Sequence, residues 1–479
     1  MPQSFTASRK LLASLSLVVL LTTAYGHAQQ TFIVPSGATP SISSAIAQAV
    51  SGDTIEIVPG SMLTESITLN NNNITIKGQS GNPKDCSISA QNNQFVIEIA
   101  QGNSSATVIE NITIVGNTIS HGININNSSP TIRNCIIQNC KFGIEINGAS
   151  NPLIEKCVIK KNFPGAGLFG CGIFINAGNP TIDDCVIKKN ESAFNAGGIQ
   201  IEGGSPTINN CKIHNNVTTV EGGGILISNP NGRPQITDCT IRGNIAGAGG
   251  GIYVTRSSNP LFKDCKISKN IGRNKGGGAW VGNSCHAEFE NCTFLKNAVS
   301  SNTGKGGGLY IADGDARLTG CDINKNACVK FGGGIYAEDS INAVQVDNCV
   351  VKNNVAGGGT GGGFYGQLRT EITLEFSKFN NNTAGDAGGG IALIRSSKSI
   401  IRFCSIKRNF AVQNGGGLYV ESEDLKFYFT TITHNDAPIG GGVDADFSKV
   451  KAYDSRICLN KGGNVKGDVS ARSNTVICP

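Results

Sequence analysis

Pro206-Thr-Ile-Asn-Asn-Cys211-Lys-Ile-His-Asn-Asn216 is one copy of a pattern that the chain repeats about a dozen times. Other copies are Pro180-Thr-Ile-Asp-Asp-Cys185-Val-Ile-Lys-Lys-Asn190, Asn259-Pro-Leu-Phe-Lys-Asp-Cys265-Lys-Ile-Ser-Lys-Asn270 and Ala287-Glu-Phe-Glu-Asn-Cys292-Thr-Phe-Leu-Lys-Asn297. A variable stretch follows each, then a glycine triplet with an apolar-aromatic-apolar run, as in Gly249-Gly-Gly-Ile-Tyr-Val254. The register runs through Cys135, Cys157, Cys185, Cys211, Cys239, Cys265, Cys292, Cys321, Cys349, Ser377, Cys404, Thr430 and Ser455, at a mean spacing of about 27 residues. A repeat this short cannot bury its own apolar face, so the units must stack.

Within each unit the apolar residues alternate at two, as in Ile182, Cys185 and Ile187 or Ile252 and Val254, which specifies short strands. The residue before the ladder position is usually Asn, Asp or Gly (Asn134, Asp184, Asn210, Asp238, Asp264, Asn291, Gly320, Asn348), types that tolerate a left-handed bend. The glycine triplets mark a second corner, and Ser129-Pro130, Asn179-Pro180 and Asn259-Pro260 a third. Three strands and three corners per unit describe a coil of an all-β fold, a single-stranded right-handed parallel β-helix. About 13 coils, each rising ~4.8 Å, are expected.

Residues 1–28 read as a secretory signal: Arg9 and Lys10 precede the apolar run Leu11–Leu21, with small residues at Gly26 and Ala28. No later segment is apolar for the ~18 residues that a membrane-spanning helix needs. The protein is therefore expected to be exported, as a secreted or cell-surface molecule. Its net charge of +6 falls to a mild +4 once Arg9 and Lys10 leave. Residues 29–53 read as an N-terminal cap. A helix over 39–50 is expected there, with Thr39 as its cap, Pro40 in its first turn and Ile42, Ala45, Ile46, Ala49 and Val50 as one apolar stripe. The β-helix is assigned to 54–460 and a C-terminal cap or tail to 461–479.

Ten of the 17 cysteines occupy the ladder position, and Ser377, Thr430 and Ser455 replace them without disturbing the period. Stacked, buried and mostly free thiols are expected, with Cys458 and Cys478 outside the ladder and available to staple the C-terminal end. A second ladder runs from Asn162 through Asn190, Asn216, Asn244, Asn270, Asn297, Asn326, Asn354, Asn382, Asn409 and Asn435 to Asn460. Stacked amides donate to one neighbouring coil and accept from the other, so this ladder is structural. The five histidines are scattered, which argues against a metal centre.

These features resemble the right-handed parallel β-helix proteins of the pectin-lyase-like superfamily over nearly the whole chain. The opening Gly52-Asp-Thr-Ile-Glu-Ile-Val-Pro-Gly60 through Ile74-Thr-Ile-Lys-Gly78 is similar to the first coil of many members. The coils Cys239-Thr-Ile-Arg-Gly-Asn244 with Gly249-Gly-Gly-Ile252, and Phe294-Leu-Lys-Asn297 with Gly306-Gly-Gly-Leu309, resemble repeats of the chlamydial polymorphic outer-membrane proteins, which are surface adhesins. The resemblance implies the fold. For function it spans lyases, hydrolases, esterases and non-catalytic adhesins alike.

Two outward rows are candidate binding surfaces. Phe174, Leu226, Tyr253, Trp280, Tyr310, Tyr336, Tyr365 and Tyr419 follow the glycine triplets on one line. Exposed, they would stack against sugar faces; alternatively they form a self-stacking ladder or lie beneath the variable loops. The second row is basic: Lys160, Lys161, Lys188, Lys189, Arg242, Lys269, Lys296, Lys325, Lys352, Lys407 and Arg408. Like charges ~5 Å apart repel by roughly 1 kcal/mol even in water, so such a row favours an anionic partner, although splayed lysines also discourage aggregation.

Catalysis finds less support. Glu202, Glu338, Glu421 and Asp446 take outward positions beside the aromatic row, but only Glu421 with Asp444 or Asp446 approaches the roughly 5–10 Å that two acids sharing a substrate require. The leading expectation is a non-catalytic exported rod that binds polysaccharide or a cell-surface glycan, anionic chains included. The alternative is a polysaccharide lyase or glycoside hydrolase. No cofactor is expected, and Ca²⁺ enters only under the lyase alternative. No nucleic-acid motif is present.

Overall fold

The computed structural model describes residues 28–479 apart from 92–93, 164, 166–168, 341 and 397–398. The proposed signal segment thus lies outside the described residues except for Ala28. The described chain is an all-β parallel solenoid of about 16 turns, three more than the repeat count suggests. The extra turns lie at the ends, where the pattern fades. Parallel pairing begins with β1 (Thr31–Val34) against β2 (Thr54–Ile57) and ends with Val476–Ile477 against Arg456–Cys458. Strand stacking therefore overruns the assigned 54–460 segment on both sides.

A regular coil has the strands Ile252–Val254, Leu261–Lys263 and Lys266–Ser268, each in register with its counterparts one coil away. A short fourth strand, absent from the three-strand expectation, follows the ladder asparagine and pairs into a sheet of nine. Most of these pieces are only two residues long, too short to show alternation, and they pair in parallel from coil to coil. The glycine triplets are demanded sterically. Gly249 has φ +60°, and a Cβ on Gly251 would sit 2.5 Å from the Gly278 carbonyl of the next coil. The bends before the ladder are left-handed as expected, for example Asn210 at φ +50°.

The interior is one continuous column of Ile, Val, Leu, Phe and Cys. Fifteen cysteines are free and buried, and Cys458–Cys478 is a disulfide. Burial pushes the Cys404 thiol up to about 12, leaving it an inert neutral group. The thiols are more than filler. Cys185 Sγ donates to the Asp183 carbonyl at 3.2 Å, and Ser377 Oγ donates in the same way to Glu375 at 2.7 Å. The position needs a small donor, which is why serine and threonine substitute there.

The asparagine ladder is fully formed. Asn216 Nδ2 donates to Asn244 Oδ1 at 3.1 Å and to the Ile187 carbonyl at 3.1 Å, and the same geometry recurs down the rod. At the N-terminal end a short helix α1 (Ile42–Ile46) buries Ile42 and Ala45. Ser41, not Thr39, caps it: Ser41 Oγ accepts from the Ser44 amide, and the helix is shorter than 39–50. Thr39 is instead buried, donating to the Ile33 carbonyl and fixing the entry loop. Among the described residues no helix is long and apolar enough to cross a membrane.

Candidate functional site

The aromatic row does point away from the main core, and its members are in register: Leu226, Tyr253, Trp280, Tyr310, Tyr336 and Tyr365 face one another coil by coil. It is not exposed. Tyr253, Trp280, Tyr310, Tyr336, Tyr365 and Tyr419 are all buried, and Phe174 is half-buried. The rings stack on each other, with centroids 4.2 Å apart for Tyr253–Trp280, 5.0 Å for Tyr310–Tyr336 and 5.1 Å for Tyr336–Tyr365. The variable stretches fold back over them and supply Ala196, Ala248, Phe331 and Ala387 to a second apolar cluster. The row is corrected from a sugar-stacking platform to an internal seam.

The tyrosine tips end in a polar network that local sequence does not reveal. Tyr336 Oη donates to Glu338 at 2.6 Å, Tyr310 Oη donates to the other oxygen, and Gln367 Nε2 donates at 2.8 Å, with Lys305 Nζ 3.4 Å away. Burial would raise the Glu338 carboxyl, but these donors outweigh it and hold the group below the usual carboxylate range. With both oxygens engaged by these donors, Glu338 acts as a structural acid.

The basic row splits into two columns. Lys160, Lys188, His214 and Arg242 are successive register partners on the outer face of the strands after the cysteine ladder, spanning about 14 Å along the axis. Lys161, Lys189, Lys269, Lys296, Lys325 and Arg408 instead occupy the adjoining left-handed corner, with φ from +53° to +56°. Lys296 and Lys325 therefore do not share a face with Lys160, Lys188 and Arg242. Lys352 pairs with Asp322 at 3.2 Å and is neutralised. Among the described residues none of Lys160, Lys188, Lys212 and Arg242 has an acidic partner. Burial and then the charges of Lys188, Arg242, Lys189 and Lys212 push the His214 imidazole below its ordinary range. Burial and then Lys188, Lys161 and Lys84 lower Lys160. His214, Lys212, Asn215, Thr240 and Arg242 line a shallow concavity in this face. His214 was legible as the residue between Lys188 and Arg242 in the repeat, but its contribution appears only when the coils are stacked.

At the C-terminal end, Glu421 and Asp446 are register partners, as are Tyr419 and Asp444. The Tyr419 hydroxyl lies 3.1 Å from Glu421 Oε2 and 3.5 Å from Asp446 Oδ2, so one phenol bridges two carboxylates. Arg395 lies 3.9 Å from Glu421. Asp444 differs: its side chain is fully buried, and Lys466 approaches to 3.6 Å. Among the described residues no three His, Cys, Asp or Glu groups converge at metal-ligand distance. Glu421 and Asp444 each already face a cationic side chain, Arg395 and Lys466.

Burial raises the Asp444 carboxyl, and Lys466 only partly offsets it. A folded-state pKa above the unfolded one means the folded protein binds the proton more tightly. Asp444 therefore favours folding most at acid pH and loses that contribution as pH rises through the ordinary carboxylate range to its raised pKa. Asp444→Asn is expected to stabilise the rod by about 1 kcal/mol near neutral pH and to leave it unchanged in acid. Thermal melts of both proteins across pH check this, and parallel curves would overturn it.

One exposed aromatic column escaped the repeat reading. Phe376, Phe403 and Phe429 take the left-handed bend before the ladder, at φ +48°, +52° and +47°, where most coils carry Asn, Asp or Gly. That conformation costs a side chain with a Cβ about 1–2 kcal/mol per residue. The rings stack face to face at 4.9 Å, tilted by 1° and 2°, and are 54%, 47% and 52% exposed. The signal was present in three successive coils as Phe before Ser377, Cys404 and Thr430.

Comparison with known proteins matches the family described as right handed beta helix region over residues 32–179, 72–232, 171–351, 223–387 and 331–476. No curated protein matches the chain. Among solved structures, pectate lyase Pel9A is 16% identical with a TM-score of 0.42, the match covering 58% of this chain and 78% of that one. The catalytic unit of a GH87 α-1,3-glucanase from Streptomyces thermodiastaticus is 14% identical with a TM-score of 0.31, covering 90% of this chain and 64% of that one. A mannuronic acid specific family 6 polysaccharide lyase from human gut microbiota is 11% identical with a TM-score of 0.26, covering 88% and 86%. Likenesses at this level carry neither activity nor substrate.

Proposed function

We propose that this chain, which belongs to the right handed beta helix family, is an exported, non-catalytic rod that binds an anionic glycan along its basic face. The observation that carries this reading is the column Lys160–Lys188–His214–Arg242: four basic side chains at strand spacing with no acidic partner among the described residues. An extended polyanion laid along the axis meets Lys160, Lys188 and Arg242 on three of the four coils, with His214 able to add a fourth charge on protonation, and relieves the repulsion among them. The aromatic seam takes no part, because it is buried. Ring stacking is thereby replaced by charge as the source of affinity, and the binding is expected to be salt-sensitive.

The test is retention on immobilised anionic and neutral polysaccharides. Parent protein is expected to bind an anionic chain such as polygalacturonate, to elute as ionic strength rises, and to ignore neutral glucans. The Lys160→Gln, Lys188→Gln, Arg242→Gln variant is expected to lose at least about tenfold in affinity, which is 1.4 kcal/mol. Binding should tighten as pH falls through the His214 titration, since a bound anion favours the imidazolium. Equal retention of the variant would sink this reading.

A second reading rests on one observation, the Tyr419 hydroxyl between Glu421 and Asp446. A hydroxyl 3.1 Å from one and 3.5 Å from the other keeps the two nearest carboxylate oxygens within about 6.6 Å, a range that includes the roughly 5 Å separation of a retaining glycosidase pair. Reducing-end release from a polysaccharide panel, abolished by Glu421→Gln, would establish that activity; no release by the parent retires it.

A further inference from the structure

We propose that Phe376, Phe403 and Phe429 form a membrane-surface anchor, an apolar ridge that inserts among the acyl chains of an anionic lipid surface. Three features point to a lipid phase. First, the rings occupy each other's faces at 4.9 Å, so the solvent meets a row of ring edges. Sugar recognition by aromatics uses ring faces, and of these only the two outer faces of the column, on Phe376 and Phe429, are not covered by another ring of the column. Second, the ridge is convex. It stands at the corner between the strands Ile372–Glu375, Ile400–Arg402 and Asp424–Tyr428 on one side and Lys378–Asn380, Ser405–Lys407 and Thr431–Thr433 on the other. A projecting fin finds its complement in a soft apolar medium more readily than in a rigid pocket.

Third, cations flank the fin. Lys426 and Lys451 are register partners on one side, Arg402 lies beside them, and Lys378, Lys407 and Arg456 stand on the other, against Glu375, Asp424 and Asp454. Arg402 pairs with Glu375 at 3.2 Å, which leaves the lysines and Arg456 to face headgroup phosphates. Basic residues around an exposed apolar element are the arrangement that binds an anionic lipid surface. The backbone adds an independent argument. Asparagine would fill the same left-handed bend with less strain, so phenylalanine in three consecutive coils is not what the turn itself requires.

The test is co-sedimentation of the full chain with phosphatidylcholine vesicles, with and without phosphatidylglycerol. The parent is expected to partition onto vesicles containing phosphatidylglycerol, more weakly onto phosphatidylcholine alone, and less at high salt. The Phe376→Asn, Phe403→Asn, Phe429→Asn variant suits the bend and is expected to melt at the same or a higher temperature while losing at least about tenfold in partitioning. Lys426→Gln with Lys451→Gln should weaken binding only to the anionic vesicles. Lys160→Gln, Lys188→Gln, Arg242→Gln should leave it unchanged, which separates this anchor from the glycan face. Equal partitioning of parent and Asn variant overturns the proposal. So does Phe-dependent self-association, or Phe-dependent retention of a soluble polyanion, without vesicle binding.

Discussion

Asn297→Ala is expected to cost the rod about 4 kcal/mol, more than a typical point mutation, from two buried groups left unpaired at roughly 1–3 kcal/mol each plus the lost bonds themselves. Asn297 Oδ1 accepts from the Asn270 amide at 3.0 Å and from Asn270 Nδ2 at 3.1 Å. Its own Nδ2 donates to the Ile267 carbonyl at 2.9 Å and to Asn326 Oδ1 at 3.0 Å. Alanine strips the Asn270 amide and the Ile267 carbonyl of this partner inside a fully buried column. Asn297→Asp should recover part of the loss, because it still accepts but cannot donate when ionised. Asn460, only half-buried at the ladder's end, should be markedly more tolerant. Denaturant unfolding of the three variants measures the gradient. A loss at Asn297 no larger than at Asn460 would show that the ladder is not a stabilising unit.

The Trp280→Ala, Tyr310→Ala, Tyr336→Ala triple variant is expected to melt the middle of the rod, since buried aromatic truncations cost about 3–5 kcal/mol each. Each ring is buried beneath a variable stretch, and Tyr336 Oη also anchors Lys305 at 2.8 Å and Gln367 at 2.6 Å. Tyr336→Phe keeps the ring and should lose only about 1 kcal/mol. Trp280 is the sole tryptophan, so the seam has a private reporter. Its emission should be blue-shifted and resist iodide quenching in the folded protein, then become quenchable on unfolding. Free quenching in the native state, together with an unchanged melting temperature for the triple variant, would return the rings to the surface.

The two ladders explain why so much of the fold was legible. Cys211 and Asn216 recur because each bonds to its identical neighbour in the adjacent coil, so architecture is written directly as periodicity. The candidate sites were less legible because exposure depends on segments that do not repeat. Period-two alternation placed Tyr336 off the main core, but nothing local marks Phe331 and Ala387 as part of its cover. The opposite error befell Phe403. Asn, Asp and Gly dominate the bend, and the three consecutive phenylalanines are informative because they are unfavourable residues at a demanding φ. Lys160 and Lys296 were merged because one position along the repeat separates a strand face from a corner, and only backbone geometry distinguishes them.

The asparagine amides all point one way. From Asn162 onward the bond from each Nδ2 to the next ladder amide runs toward the C-terminal end, while its second bond goes to a carbonyl of the preceding coil, and the last donor, Asn464 Nδ2, reaches the carbonyls of Cys478 at 2.9 Å and Pro479 at 3.2 Å. The rod is therefore polar, with donors emerging at one terminus and acceptors available at the other. Two such ends match head to tail, which is the geometry of an open fibre. The terminal peptide occupies the donor end like a stopper, and the Cys458–Cys478 bond ties it down. Residues 478 and 479, held by that bond, thus cover donors that would otherwise face the acceptor end of a second copy.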